Sequence, residues 1–515
     1  MLQTIGDCCR SFSWNKKGNV AILFGLALIP IALFVGAAFD YGRGLAVRNR
    51  MADAADASAL AIGSWQGLTQ GQLKQRAQQF FDANYSSSEM GTAGKLNVSF
   101  AGDDIKVEVS GTVPTTFLKL ANIDSIDVGA SSTVTKKQRN IELALVLDTT
   151  GSMGSGGKMS AMKAAAKNMV QTLFTGGSDD VKIAVVPFSG AVNIGTSNEN
   201  SGWLDKSKCS GSKCSNMSTI AKEDHDFKNR ENVFELIKDL KNTSWSGCVR
   251  ERGGSYELTD DAPASSSKES LFAPYFAPDE PDRENAGWNS YSNSYIGDGD
   301  CGKSKSWERT PELCQAYTGK YKNAWPSGDG PSSNCPADPI QPLTKIQGQV
   351  ISSIETLEPK GSTVIPAGLL WGWRVLSPGE PFSEGSPYNS EKWVKAVVLL
   401  TDGENDVGGG SYWTGHNKSY YNAFGYAAKG HLGSTSGWNT KSKLDEKTLE
   451  VCSKIKAQDI AVYTISFQVN DQTTKNMLEQ CATEPDMYYN SPSNAQLAGI
   501  FNSIAQGLSE LRIAK

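Results

Sequence analysis

The sequence has few of the residues on which most metal and acid–base chemistry depends. Of 515 residues only three are histidines, His225, His416 and His431, far apart along the chain. That argues against a multi-histidine zinc or iron site and against a serine–histidine–aspartate triad. A basic surplus is also missing: 50 Lys and Arg against 55 Asp and Glu leave a net charge of −5, which gives nothing to drive phosphate neutralisation on a nucleic acid. No cysteine pair has C-x-x-C spacing. There is no Gly-x-x-x-x-Gly-Lys-Ser/Thr loop, no His-Glu-x-x-His and no Gly-x-Ser-x-Gly. Gly154 to Lys158 has the glycines and lysine of a phosphate loop without its spacing. A metal-assisted phosphohydrolase therefore lacks most of its parts. What is present is ample for folded cores, with 39% apolar and 20% charged residues.

The ten cysteines are unevenly placed. Cys8 and Cys9 lie at the start, and the other eight are Cys209, Cys214, Cys248, Cys301, Cys314, Cys335, Cys452 and Cys481. An even number in loop-like sequence reads as disulfides formed in an oxidising compartment, against the alternative of free or metal-binding thiols. Cys452 and Cys481 are the expected pair in the C-terminal part, because both fall on helices flanking the Ile460 strand.

One long apolar run occurs, Asn19 to Phe39, with no charge and only Pro30 to interrupt it. At ~1.5 Å per residue it spans a ~30 Å hydrocarbon core, and it outruns the ~7–15 residues of a cleaved signal. Gly36-Ala37-Ala38 would tolerate cleavage. Lys16-Lys17-Gly18 suggests a prepilin leader, but Leu23 stands where a mature pilin has an acid. We read an uncleaved transmembrane helix, residues 19–39, behind a cytoplasmic tail, residues 1–18. Arg10, Lys16 and Lys17 before the span balance Arg43, Arg48 and Arg50 after it, so basic residues do not orient it. The eight downstream cysteines do, toward an exported C-terminal part.

Residues 40–135 read as a helical extension and a small α/β module. Leu45, Met51, Ala55 and Leu60 recur at near-helical spacing, and Leu73 to Tyr85 continues as a second helix. Alternating strands follow at Leu96–Phe100 and Ile105–Val109, then a short helix at Pro114–Leu120 and a strand to Val134. From Ile141 the pattern becomes buried strands alternating with amphipathic helices, the mark of a doubly wound, mostly parallel α/β sheet over residues 141–512. The strands are Ile141–Leu147, Val181–Phe188, Ala396–Leu400 and Ile460–Phe467. The helices are Lys158–Phe174, Leu343–Leu357, Pro366–Leu376, Leu444–Ala457, Thr473–Cys481 and Asn494–Leu511. Two long insertions interrupt it, at about 195–342 and 406–443. The second is rich in aromatics (Tyr412, Trp413, Tyr420, Tyr421 and Trp438), suited either to an adhesive surface or to filling a loop interior.

The chemistry gathers where strands end. Asp148-Thr149-Thr150-Gly151-Ser152 follows the first strand of the sheet, Thr401-Asp402-Gly403 follows the central one, and Gly361-Ser362-Thr363 precedes a helix. Open α/β sheets bind ligands at that edge. Two carboxylates and three hydroxyls make a hard oxygen set, suited to Mg²⁺ (or Mn²⁺) rather than Zn²⁺. Alternate residues Asp148, Thr150 and Ser152 can face one hollow. Glu404 and Asp406 read as solvated loop acids, with supports for that set or part of a Ca²⁺ site as the alternatives.

Asp148-x-Thr150-x-Ser152, Thr363 and Thr401-Asp402-Gly403 resemble the metal-ion-dependent adhesion site of von Willebrand factor A domains. Gly18 to Asp40, followed by Arg48-x-Arg50-Met51-Ala52-Asp53-Ala54-Ala55-Asp56-Ala57, resembles the N-terminal region of TadG-like proteins of the tight-adherence (Flp) pilus assembly system. Gly368 to Arg374 and Leu399 to Asn405 resemble the A domain of that family. The resemblance covers residues 18–65 and about 141–510, outside the insertions. It implies a von Willebrand factor A-like, Rossmann-type fold, with Asp148, Thr150, Ser152, Thr363 and Asp402 as metal positions and a partner's carboxylate completing the shell. It further implies a non-enzymatic adhesion or assembly protein of a pilus or envelope system, single-pass in a bacterial inner membrane, with its C-terminal domain in the periplasm or cell envelope. A purely structural scaffold with a non-functional metal site is the alternative.

Overall fold

The computed structural model describes residues 18–65, 68–85, 91–101, 104–135, 139–175, 180–206, 232–282, 293–408 and 415–511. Cys8, Cys9, Cys209, Cys214, His225, Tyr412, Trp413 and the N-terminal tail lie outside them. The chain divides into two compact units, Met1–Gln138 and Arg139–Lys515.

In the first unit a single helix, α1 (Gly18–Ser64), runs for 47 residues. Its early side chains, among them Ile22, Leu23, Phe24, Leu26, Ile29, Phe34 and Val35, are exposed, and the helix is long and apolar enough to cross a membrane. The later half buries Val47, Met51, Ala55, Ala59 and Ile62, a stripe spaced by three or four residues. Leu45 and Leu60, expected to share that stripe, are exposed instead. Leu60 lies nine residues from Met51, about two and a half turns, and so on the opposite face. The stripe packs with α2 (Gln70–Asn84) and with the inward residues Val107 and Val109 of an antiparallel sheet. That sheet comprises β1 (Thr92–Ala93), β2 (Asn97–Ala101), β3 (Asp104–Pro114) and β4 (Ser125–Thr135), with β3 pairing all the others. The Asp40 carboxylate accepts the backbone N–H groups of Thr116, Phe117 and Leu118 at 2.8 to 2.9 Å, which ties the β3–β4 connection back to α1.

The second unit is built on one sheet in the order β12-β11-β10-β5-β6-β7-β8, with β9 also on β6. Its strands are β5 (Asn140–Asp148), β6 (Val181–Phe188), β7 (Val192–Asn193), β8 (Cys248–Val249), β9 (Gln341–Thr344), β10 (Trp393–Thr401), β11 (Ile460–Phe467) and β12 (Tyr488–Ser491). The run from β12 to β6 is parallel and the far edge antiparallel. All nine residues of β5 are buried, so both faces of the sheet are covered. Leu143, Leu145 and Leu147 meet α3 (Lys158–Phe174) and the C-terminal helix (Asn494–Leu511) through Met162, Met169 and Phe501. Ala144 and Val146 point the other way, onto a helix at Ile365–Leu376 whose twelve residues are all buried. A Cβ at Gly372 of that helix would meet Val146 Cγ2 at 2.4 Å, so glycine is what lets helix and sheet approach.

The Leu343–Leu357 segment begins as strand β9 and becomes helical only at Gln347–Thr356. Strand β12 carries no apolar alternation (Tyr-Tyr-Asn-Ser) and is visible only through its pairing with β11. The first insertion is mostly irregular yet buries Trp203, Phe234, Trp245, Phe272, Tyr275, Phe276, Tyr295 and Tyr321 in one core with the Ile365–Leu376 helix. Disulfides Cys248–Cys335 and Cys301–Cys314 tie it together, and Cys452–Cys481 forms as the sequence suggested. In the second insertion Tyr421 is buried, Tyr420 half-buried and Trp438 exposed.

Candidate functional site

The strand order reverses direction between β5 and β10. From β5 the chain steps to β6 on one side, then returns to lay β10, β11 and β12 on the other. Such a switch point leaves a crevice outside the carboxyl ends of the two strands. Leu400 pairs in register with Leu147, so Asp148 and Thr401 emerge level from adjacent strands.

Four of the five expected site residues are directly linked there. The Thr150 backbone N–H donates to Asp148 Oδ1 at 2.8 Å and the Thr401 hydroxyl to Asp148 Oδ2 at 2.7 Å. Ser152 Oγ donates to Asp402 Oδ1 at 2.6 Å across 250 residues of sequence. The Thr150 and Ser152 hydroxyls are 2.9 Å apart. A hydroxyl carries one proton, and that of Ser152 is committed to Asp402, so Thr150 is the donor to Ser152. Asp148, Thr150 and Asp402 are buried and Ser152 is exposed, so the hollow opens toward solvent at Ser152.

Thr363, the fifth residue, stands on the adjoining loop. Its backbone N–H and C=O pair with Asp406, both at 2.9 Å, and its own loop is tied to the first by Gly151 N–H to Gly361 O and Lys360 N–H to Thr149 O. Gly361 has φ +87°, and a Cβ there would lie 3.0 Å from Ser189 Oγ. Only glycine adopts that turn freely. Asp406 and Glu404 are exposed. Asp406 serves through its backbone, while Glu404 pairs with Lys441 at 3.1 Å.

Several supports were not evident from sequence. Lys158, at the start of α3, places Nζ 2.8 Å from Asp402 Oδ2. Asn405 accepts the Ile365 N–H at 2.9 Å and donates to Asp445 at 2.8 Å, joining the third loop to two helices. Asn334 of the first insertion accepts the Ser362 N–H at 3.2 Å and donates to the Tyr421 carbonyl at 3.0 Å. Both insertions thus brace the Ser362–Thr363 loop. Asn and Lys are too common for their position in the sequence to have singled these out.

The electrostatics favour a cation. Burial first, then the neighbouring Asp402 charge, push the Asp148 carboxyl up to about 6 against the hydrogen bonds it accepts. Two carboxylates at one buried crevice with a single ammonium between them leave negative charge uncompensated. The donors are all oxygens, which fits Mg²⁺ or Mn²⁺ and not a thiolate-seeking metal. Elsewhere among the described residues Asp298, Cys301 and Cys314 gather metal-ligating atom types. Those two cysteines are joined in a disulfide and have no thiolate to offer.

Residues 18–63 match the family model described as Flp pilus-assembly TadE/G-like. No curated protein matches the chain. Among solved structures, the vWF domain of the type V pili tip protein Mfa5 from Porphyromonas gingivalis is similar at 10% identity, covering 73% of this chain and 97% of that one, with a TM-score of 0.34. The pilus adhesin SpaC from Lactobacillus rhamnosus GG is similar at 12% identity over 81% of this chain and 34% of that one, TM-score 0.32. The PilB minor pilin from Streptococcus sanguinis is similar at 13% identity over 82% and 79%, TM-score 0.32. The chain thus spans about a third of the SpaC structure. The fold class rests on the strand order and register described above.

Proposed function

We propose that this chain is a non-enzymatic, membrane-anchored adhesion or assembly protein of a pilus or cell-envelope system. In this reading it is single-pass in a bacterial inner membrane, with its second unit in the periplasm or envelope. It captures a protein partner through Mg²⁺ (or Mn²⁺) held by Asp148, Thr150, Ser152, Thr363 and Asp402. The observation that carries the reading is the oxygen-to-oxygen chain Thr150–Ser152–Asp402, closed across the mouth of a parallel-sheet switch point. Three disulfides, an apolar helix and the TadE/G-like segment support the placement.

When bound, the ion lends positive charge to which a partner's carboxylate can add. The chain's own residues do the rest. The Thr150 N–H and Thr401 hydroxyl hold Asp148 in one rotamer, Ser152 orients Asp402, and the Asp406 backbone fixes the Thr363 loop. Lys158 neutralises Asp402 when no ion is there.

The test is calorimetric titration of the full chain, purified in detergent, with Mg²⁺ and with Mn²⁺. Saturable binding that vanishes in Asp148→Ala supports the site; no binding at millimolar ion ends it. Pilus or surface assembly unchanged in a Thr363→Ala, Asp402→Ala double variant would favour the scaffold reading, which Lys158's occupation of Asp402 also suits.

A further inference from the structure

A second cluster of charged side chains lies in the first insertion, apart from the oxygen site. Lys320 Nζ sits 2.6 Å from Asp279 Oδ2 and 3.0 Å from Asp298 Oδ1, and the three side chains are 2%, 0% and 1% exposed. The Asp279 carbonyl takes the third ammonium proton at 3.1 Å. Walls of Phe276, Tyr295 and Tyr321 surround the group, with Phe276 edge-on to Tyr321 at 5.2 Å. Two carboxylates and one cation in an apolar enclosure carry a net negative charge that the interior disfavours.

We propose that Lys320 and Asp279 become joined by an intramolecular amide bond, with Asp298 as the proton carrier. The geometry supplies each part. Asp279 Oδ1 accepts two backbone N–H groups, from Tyr295 at 2.6 Å and Ile296 at 2.8 Å. These two donors are aimed where negative charge grows as an amine adds to the carboxyl carbon. Among the described residues Oδ2, the oxygen facing Lys320, has no hydrogen-bond partner besides that ion pair, which leaves it as the departing oxygen. Burial pushes the Asp279 carboxyl up to about 6 despite Lys320, which raises the share of the protonated acid that can be attacked.

The step balances without any further reactant. The Lys320 ammonium gives a proton to the Asp298 carboxylate, and the freed amine forms the N–C bond to Cγ of protonated Asp279. The C–Oδ2 bond then breaks and Oδ2 leaves as water, using its own proton and one relayed from nitrogen through Asp298. The trio begins as one cation, one anion and one neutral acid. It ends as a neutral amide and a neutral Asp298, with one water released and nothing oxidised or reduced. Reaction therefore removes every formal charge of the trio.

A second buried lysine–carboxylate contact shows why this one is singled out. Lys395 lies 2.5 Å from Glu142 Oε2, but Lys182 holds the other oxygen at 2.9 Å, and the Ser386 N–H and hydroxyl bond the same carboxylate. Although burial opposes it, those partners hold the Glu142 carboxyl below its usual value, ionised and unsuited to attack. The Lys320 bond would close a loop across 41 residues that already contains the Cys301–Cys314 disulfide, locking the insertion. This proposal stands whether or not the oxygen site binds an ion.

The experiment is mass spectrometry of the full chain, reduced and denatured, with proteolytic mapping. Expected is a branched peptide joining the Asp279 and Lys320 segments, lighter by one water than its two parts. It should be lost in Lys320→Arg, which keeps the charge, and in Asp298→Asn, which keeps both joined residues. Separate, unmodified Asp279 and Lys320 peptides from the wild-type chain would overturn the proposal, as would a loss of water that survives in Lys320→Arg. Because the wild-type reading decides the matter, a variant that fails to fold does not obscure it. A branched peptide persisting in Asp298→Asn would remove Asp298 from the mechanism.

Discussion

Lys158 and Asp402, 244 residues apart in sequence, meet through a 2.8 Å hydrogen bond at the mouth of the parallel sheet. The carboxylate is fully buried and the lysine 15% exposed, so the ammonium is the charge that makes Asp402 tolerable there. Lys158→Met should cost ~3 kcal/mol of stability in EDTA, because a buried carboxylate is left beside Asp148 with no counter-charge. Added Mg²⁺ should restore most of that loss and bind more tightly than to the wild type. Thermal unfolding with and without the ion reads both effects; a melting temperature unmoved by either would refute the exchange.

Asp148→Asn should act in the opposite sense. It keeps the shape and the acceptor for the Thr150 N–H while removing one of two neighbouring buried charges. Stability in EDTA should be equal to or above the wild type by up to ~1 kcal/mol, and the Mg²⁺-induced rise in melting temperature should disappear.

His431 predicts an acid-side loss of stability. Burial, helped by the charges of Arg250, Lys429 and Lys447, pulls its pKa down to about 4, and its Nε2 is buried without a hydrogen-bond partner among the described residues. The folded state therefore prefers neutral imidazole. The contribution is fully present above the unfolded value of ~6.5 and is lost as pH falls toward about 4. A loss of a few kcal/mol over that window is expected. Denaturant unfolding from pH 7 to pH 4 should show a shallower decline in His431→Gln; an identical slope would rule His431 out.

Gly372→Ala tests how closely the Ile365–Leu376 helix lies on the sheet. The added carbon would meet Val146 at 2.4 Å in a fully buried layer. Overpacking of this kind costs ~1–3 kcal/mol. The same change at Gly403, where a Cβ meets nothing within 4 Å, should be nearly silent. Urea midpoints of the two variants give the comparison.

The Cys452–Cys481 bond joins the helix Thr440–Ala457 to the helix Gln472–Cys481 across 29 residues, with both cysteines buried. Replacing both with alanine should cost ~3 kcal/mol, and the wild type should lose more than that under a strong reductant, which also opens Cys248–Cys335 and Cys301–Cys314. Equal unfolding midpoints with and without reductant would show that the bond adds nothing.

Much of this was legible in the sequence because period and length carry the information. The apolar run Ile141–Leu147, broken only by Glu142, reads as a buried strand of a mostly parallel sheet, and the loops after Leu147 and Leu400 emerge at one edge of it. Asp148, Thr150, Ser152 and Asp402 followed from that edge. Lys158, Asn334 and Asn405 did not, since their roles depend on partners brought close only by folding. The first insertion hid its burial for a related reason. Trp203, Phe272 and Phe276 sit in irregular backbone, which imposes no period on the residues it buries.

The long N-terminal helix has a practical corollary. Its long run of exposed apolar side chains ends at Phe39, and the buried apolar side chains that complete the adjoining fold begin at Val47. A cut after Ala38 would free a water-soluble protein with that fold whole, including the Asp40 clasp on Thr116 to Leu118. A cut after Ser64 would carry away Met51, Ala55, Ala59 and Ile62, leaving the small sheet without its cover. Loss of the apolar segment and destruction of the fold are thus separated by about seven helical turns of one continuous helix.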